Sequence, residues 1–164
     1  MWIPWEDDDP VVRHYPGRKS VGYFGAVRLR DGLGLFQKEA GMFDGMTFWK
    51  FLQPLRSLSG QSGRRVIVIT DNARYHHAKL HQEWRAQQAP GFLLDYLPPY
   101  SPELNPDEQV WAEVKAKGIG RRVITSASQM FSTLLGLLRS LQRSPKKIRA
   151  FFEHPETRYA IASA

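Results

Sequence analysis

The sequence predicts an α/β domain in which a mixed sheet is flanked by helices, and three observations carry that prediction. Two short apolar runs, residues 20–30 and 33–40, flank Asp31-Gly32, a pair that marks a β-hairpin because both residues tolerate the positive φ of a tight turn. Val66-Ile67-Val68-Ile69 is an unbroken β-branched run, the pattern of a strand covered on both faces in a parallel sheet. Helical spacing recurs between and after these runs. The order is hairpin, helix, strand, helix, strand, helix, with extra helices behind, and a strand pair joined through a helix calls for a right-handed parallel crossover.

Taken in order, residues 44–57 place Met46, Phe48, Trp49, Phe51, Leu52 and Leu55 at mostly helical spacing, with Asp44 as N-cap and Pro54 disturbing the last turn. Residues 57–64 (SLSGQSGR) read as a turn before the strand at Val66. A surface helix is predicted over 77–88, with Leu80 and Trp84 on its inner side, and Gly91 then precedes a strand over 92–97. Pro98-Pro99-Tyr100-Ser101-Pro102 can form neither helix nor central strand, so it is a stiff loop. Asn105 and Pro106 open the next helix, which Gly118 and Gly120 end. A helix over about 128–142, capped by Ser126 or Ser128, and a short one over 146–153 complete the reading. Trp84, Trp111 and Tyr100 are read as packing groups rather than as platforms for stacked bases.

A chain of 164 residues suits a single domain, with a core over about 18–117 and a basic helical part over about 118–164. The absence of cysteine excludes disulfides, thiolate metal sites and a cysteine nucleophile. No apolar run approaches the ~18 residues of a membrane span, and the first residues lack the layout of a signal peptide, so a cytoplasmic protein is expected. The formal charge is +7, and no acid lies between Glu113 and Glu153. That stretch carries Lys115, Lys117, Arg121, Arg122, Lys146 and Lys147 among its cations. It is either a solvated basic surface or one that neutralises the phosphates of a nucleic acid.

Asp71 directly follows the strand at 66–70, where ligands collect in open α/β sheets; the plainer reading is a turn-capping Asx residue, with Asn72 helping. Glu108 falls in the first turn of a later helix, where a carboxylate is favoured by the helix dipole alone, and Glu103 and Asp107 compete for any role. The pair says more. If the two strands are parallel neighbours, both acids reach one sheet edge, and two hard oxygen ligands there suit Mg2+ or Mn2+. Two such ions would serve displacement at a phosphodiester.

The segments VIVITDNARYHHA (66–78) and LPPYSPELNPDEQVWAEVK (97–115) resemble the signature blocks of DDE transposases, more narrowly the mariner-like and bacterial insertion-sequence branch. GYFGAVRL (22–29) and the helix around Phe48–Leu55 extend the resemblance over most of residues 2–117. The resemblance implies a ribonuclease-H-like fold and metal-dependent DNA cleavage followed by strand transfer. It makes Asp71 the second catalytic carboxylate and Glu108 the third, with 36 residues between them. It also implies supporting roles for Asn72, His76 and Asn105, and DNA as partner.

The pattern fails at its beginning. Trp2-Ile3-Pro4 and Pro10-Val11-Val12-Arg13 are similar to stretches that in the family follow the strand bearing the first catalytic Asp. That strand is therefore expected before Met1, with Asp7, Asp8 and Asp9 in a surface loop; the rival reading makes one of these three the missing ligand. A sheet without its first central strand exposes an edge that invites pairing. The isolated chain is accordingly expected to be inactive or to need a partner, either an upstream transposase segment or a second copy. The alternative function is a non-catalytic DNA-binding or assembly remnant of a decayed element.

Overall fold

The computed structural model describes residues 22–119 and 124–162. Strands β1 (Gly22–Val27) and β2 (Gly34–Glu39) pair antiparallel, with Gly22 opposite Glu39 and Val27 opposite Gly34. The predicted turn closes them. Gly32 takes a φ of 70°, its amide donates to the Arg28 carbonyl at 3.0 Å, and the Arg28 guanidinium grips Asp31. A side chain at Gly32 would meet the Pro145 carbonyl at 2.1 Å, so the turn is also a packing contact.

Helix α1 (Gly45–Ser62) begins at Asp44, whose carboxylate accepts from the Thr47 amide while the Thr47 hydroxyl accepts from the Asp44 amide. The helix runs on through residues 57–62, which the sequence reading made a turn, and stops at Gly63 with φ 63°. Its interior Pro54 does not end it. Leu55 is buried and Leu58 packs on the same cluster, so apolar burial outweighs the weak helix propensity of the Ser-Gly stretch.

Strand β3 (Val66–Thr70) pairs parallel with β4 (Phe92–Tyr96), Val66 opposite Phe92 and Thr70 opposite Tyr96. Two 3-10 turns, Arg74–His77 and Lys79–His81, and helix α2 (Gln82–Gln88) make the crossover. These turns replace the single helix expected over 77–88 and change its phase. His81 is fully buried and Leu80 is 53% exposed, which corrects the inward placement of Leu80; Trp84 does face inward, against Phe92 and Trp49.

Two further corrections concern coverage. β3 is not buried on both faces: Val66 and Val68 pack towards α1, whereas Ile67 and Ile69 stand 55% and 47% exposed. Tyr100 packs on nothing; it is fully exposed, with φ 57°. The expected mixed sheet is split, because among the described residues β1–β2 and β3–β4 form separate two-stranded sheets.

Helices α3 (Pro106–Val114), α4 (Ala127–Gln142) and α5 (Pro145–Ala150) follow, with a π-helical turn at Lys115–Ile119 after α3 and a short α6 (Tyr159–Ala162) at the end. The strand period of β1 joins two cores. Phe24 points to the cluster of Phe48, Phe51, Leu52, Leu55 and Phe92 beneath α1. Tyr23 and Val27 point the other way, to Val110, Val114, Leu134, Leu138, Leu141 and Ile148. The C-terminal helices thus supply half of the core. Leu52, on the inner face of α1, is completely buried. Leu52→Ala should lower unfolding free energy by about 2–5 kcal/mol, and Leu80→Ala by less than about 0.5 kcal/mol, in urea titrations monitored by circular dichroism.

Candidate active site

Asp71 leaves the carboxyl end of β3 and is fixed through a single oxygen. Its Oδ1 accepts from the Ala73 amide at 2.8 Å and lies 2.9 Å from the His76 Nδ1. His76 is buried, with its ring 4.2 Å from that of Phe48 and 4.4 Å from that of Tyr75. Its Nδ1 is also 3.0 Å from the Asp71 carbonyl and 3.1 Å from the Thr70 hydroxyl. The bond from His76, reinforced by the Ala73 amide, holds the Asp71 carboxyl below its ordinary range despite partial burial. Asp71 is therefore an anion whose side chain remains 55% exposed.

The block around it ties the ends of the two parallel strands together. The Leu97 amide donates to the Thr70 carbonyl at 2.8 Å, and the Asn72 side-chain amide donates to the Leu97 carbonyl. His77 bonds Asn72 at 3.1 Å and stacks on Tyr96 at 4.2 Å. The Tyr96 hydroxyl donates to the His76 carbonyl and accepts from Arg85, both at 3.0 Å. The loop leaving β4 consequently starts at a fixed point beside Asp71.

That loop ends in a short 3-10 turn, Pro102–Leu104, and then in α3. Asn105 caps α3: its Oδ1 accepts from the Asp107 amide at 3.1 Å and its carbonyl from the Glu108 amide at 3.0 Å. Glu108 is exposed in the first turn. Asp71, His76, Asn105, Asp107 and Glu108 all line one cavity of about 350 Å3, together with residues 23–27 of β1 and 66–70 of β3. Asp71 and Glu108, distant in sequence, are thus brought to one cleft. Among the described residues no group of three or more His, Cys, Asp or Glu side chains is arranged to hold a metal ion.

Asp107 is the residue whose position sequence reasoning left open. Its Oδ2 accepts from the Trp111 indole at 2.8 Å, while Oδ1 is buried without a partner. A Cβ at Gly25 would fall 2.6 Å from that Oδ1, so β1 approaches the carboxyl as closely as a glycine allows. Burial pushes the Asp107 carboxyl up to about 6, with the neighbouring Glu108 charge adding to the rise and the Trp111 bond opposing it. The available signal was Trp111 one helical turn on, in reach of Asp107 and facing the core.

The basic residues divide. Lys117 bridges Glu113 at 2.8 Å and Lys147 pairs with the same carboxylate, so both charges are partly answered within the protein. Lys115 and Lys146 are exposed. Arg121 and Arg122, like Asp7, Asp8 and Asp9, lie outside the described residues.

Residues 2–130 match the family described as DDE superfamily endonuclease. The chain belongs to that family. Membership makes this DDE endonuclease a transposase-type catalytic domain whose substrate is DNA. No curated protein matches the chain. Among the described residues, no helix of this DDE endonuclease is long and apolar enough to cross a membrane.

Asp107 gives the site a pH signature. Its folded pKa is raised, so the folded state binds its proton more tightly than the unfolded chain does. That contribution favours the fold at low pH and is lost as pH rises from 3.8 to about 6. Asp107→Asn should flatten this part of the stability profile, measured as thermal midpoints across that interval; an unchanged slope would remove Asp107 as its source.

Proposed function

We propose that this DDE endonuclease domain cleaves DNA and transfers the strand in transposition of an insertion sequence, using divalent metal ions held by Asp71 and Glu108 on a ribonuclease-H-like scaffold. The observation that carries the reading is the meeting of these two acids in one cleft at the carboxyl end of β3. The donor set fits Mg2+ or Mn2+, because it consists of hard carboxylate oxygens with no cysteine nearby. Both fixed bonds to Asp71 fall on Oδ1, which leaves Oδ2 for a ligand. Glu108 has no bond from another described side chain and projects from the first turn of α3.

The protein's own groups have separate tasks in this reading. His76 keeps one Asp71 oxygen occupied and the carboxylate oriented. Asn72 keeps that carboxylate in register with the loop leading to α3, and Asn105 holds the turn that carries Glu108. Lys115 and Lys146, with Lys117, Lys147, Arg121 and Arg122, track the DNA backbone. Two divalent ions, when bound, would activate the attacking hydroxyl and stabilise the leaving oxygen.

Mn2+ binding followed by electron paramagnetic resonance tests the proposal. Asp71→Asn and Glu108→Gln should each abolish binding, with circular dichroism unchanged, and His76→Ala should weaken it by about 10–100-fold, the usual effect of removing a group that orients a ligand. Parent-like binding in both carboxylate variants would sink it. DNA retention by those variants on a gel, without any Mn2+ effect, would instead favour a non-catalytic DNA-binding module.

A further inference from the structure

The cleft that holds Asp71 and Glu108 is walled in part by Tyr159, which lies beyond the residues 2–130 that match the family. The Tyr159 hydroxyl donates to the Leu104 carbonyl at 2.9 Å, a bond between positions 55 apart in the chain. Leu104 closes the 3-10 turn Pro102–Leu104, directly before the Asn105 cap of α3. A side chain of α6 therefore grips the segment from which Glu108 emerges.

The backbone that presents Tyr159 is itself anchored. Ile148 and Phe151 belong to the core that they share with Val110 and Val114 of α3. Thr157 is completely buried, and its hydroxyl donates to the Phe151 carbonyl at 2.7 Å. The Thr157 amide donates to the His154 carbonyl at 3.0 Å, which closes a turn two residues before Tyr159. A continuous set of contacts thus runs from the helical core through Thr157 to the cleft. Partial burial pushes the Tyr159 phenol up from its ordinary value, so the group stays a proton donor at neutral pH.

The segment before α3 gains a long-range hold from this bond. The Leu104 amide donates to the Ser101 carbonyl at 3.2 Å and the Asn105 amide to the Pro102 carbonyl at 2.9 Å. These bonds shape the turn without setting its place against the rest of the fold. Val110 and Val114 seat the later turns of α3 in the core, and Tyr159 holds the residues before its first turn. We infer that Tyr159 is a positioning residue of the cleft: its bond to Leu104 sets the start of α3 and, through it, where the Glu108 carboxylate stands relative to Asp71. The inference rests on the reading of Glu108 as a metal ligand, and it brings into the site a segment of the chain outside the two signature blocks.

Two measurements on the full chain carrying Tyr159→Phe test it, because this change keeps the ring and removes the donor. Tyr159 is 38% exposed, so the variant should fold. In hydrogen–deuterium exchange, the amides of Leu104, Asn105 and Glu108 should exchange about two- to tenfold faster than in the parent, the range that one lost hydrogen bond gives, while the β3–β4 ladder stays unchanged. In Mn2+ titrations followed by electron paramagnetic resonance, the dissociation constant should rise by a similar factor, and Tyr159→Ala should raise it no less. Faster exchange confined to residues 157–162 would overturn the inference, since the bond would then serve only to seat α6. So would parent-like exchange throughout, or faster exchange at 104–108 with unchanged Mn2+ affinity. If the parent itself binds no Mn2+, the reading of Glu108 as a ligand fails, while the exchange result still decides whether Tyr159 holds this segment.

Discussion

The parallel pairing of β3 with β4 is the constraint on which the cleft depends. It puts the carboxyl ends of both strands at one level, and the Leu97–Thr70 and Asn72–Leu97 bonds lock that level beyond the last ladder pair. Asp71 leaves one strand end and the loop to α3 leaves the other. Without this register the 36 residues between Asp71 and Glu108 would fix no geometry between them. The loop is short and carries three prolines, so a fixed start gives α3 a limited choice of end points. The Asn105 cap then sets which residues occupy the first turn.

Around that anchor the cleft combines two carboxyl environments. Asp71 is exposed and stabilised as an anion by His76 and the Ala73 amide. Asp107, next to Glu108, is turned into the interior against Gly25 and Trp111 and is raised in pKa. Neighbouring acids at a helix start thus separate into one that faces the cleft mouth and one that packs. The cause is the helical turn itself, which rotates adjacent side chains by about 100°.

Much of this was legible in the chain. Asp31-Gly32 gave the hairpin, Asp44, Asn105 and Ser126 capped the helices they were expected to cap, and β3 and β4 lie where β-branched and apolar runs placed them. The D-N-A-x-x-H block supplied Asp71 with His76 as its bonding partner. The errors share one origin. Residues 57–62 became helix, Leu80 turned outward, His81 turned inward and half of β3 lost its cover because neighbours distant in sequence determined burial. Local propensity is worth tenths of a kcal/mol per residue, and such packing readily exceeds it.

The sequence by itself determined the element types, their order, the caps and turns, and the two signature blocks that hold Asp71 and Glu108. These follow from backbone preferences and short-range hydrogen bonds, which act over a few residues. Only the tertiary structure decided that the acids share a cavity, that the Asp107 Oδ1 is buried beside them, that Lys117 and Lys147 converge on Glu113, and that among the described residues the strands form two separate sheets. Those outcomes depend on which surfaces meet after long loops close, and one-dimensional spacing does not encode a distance across such a gap.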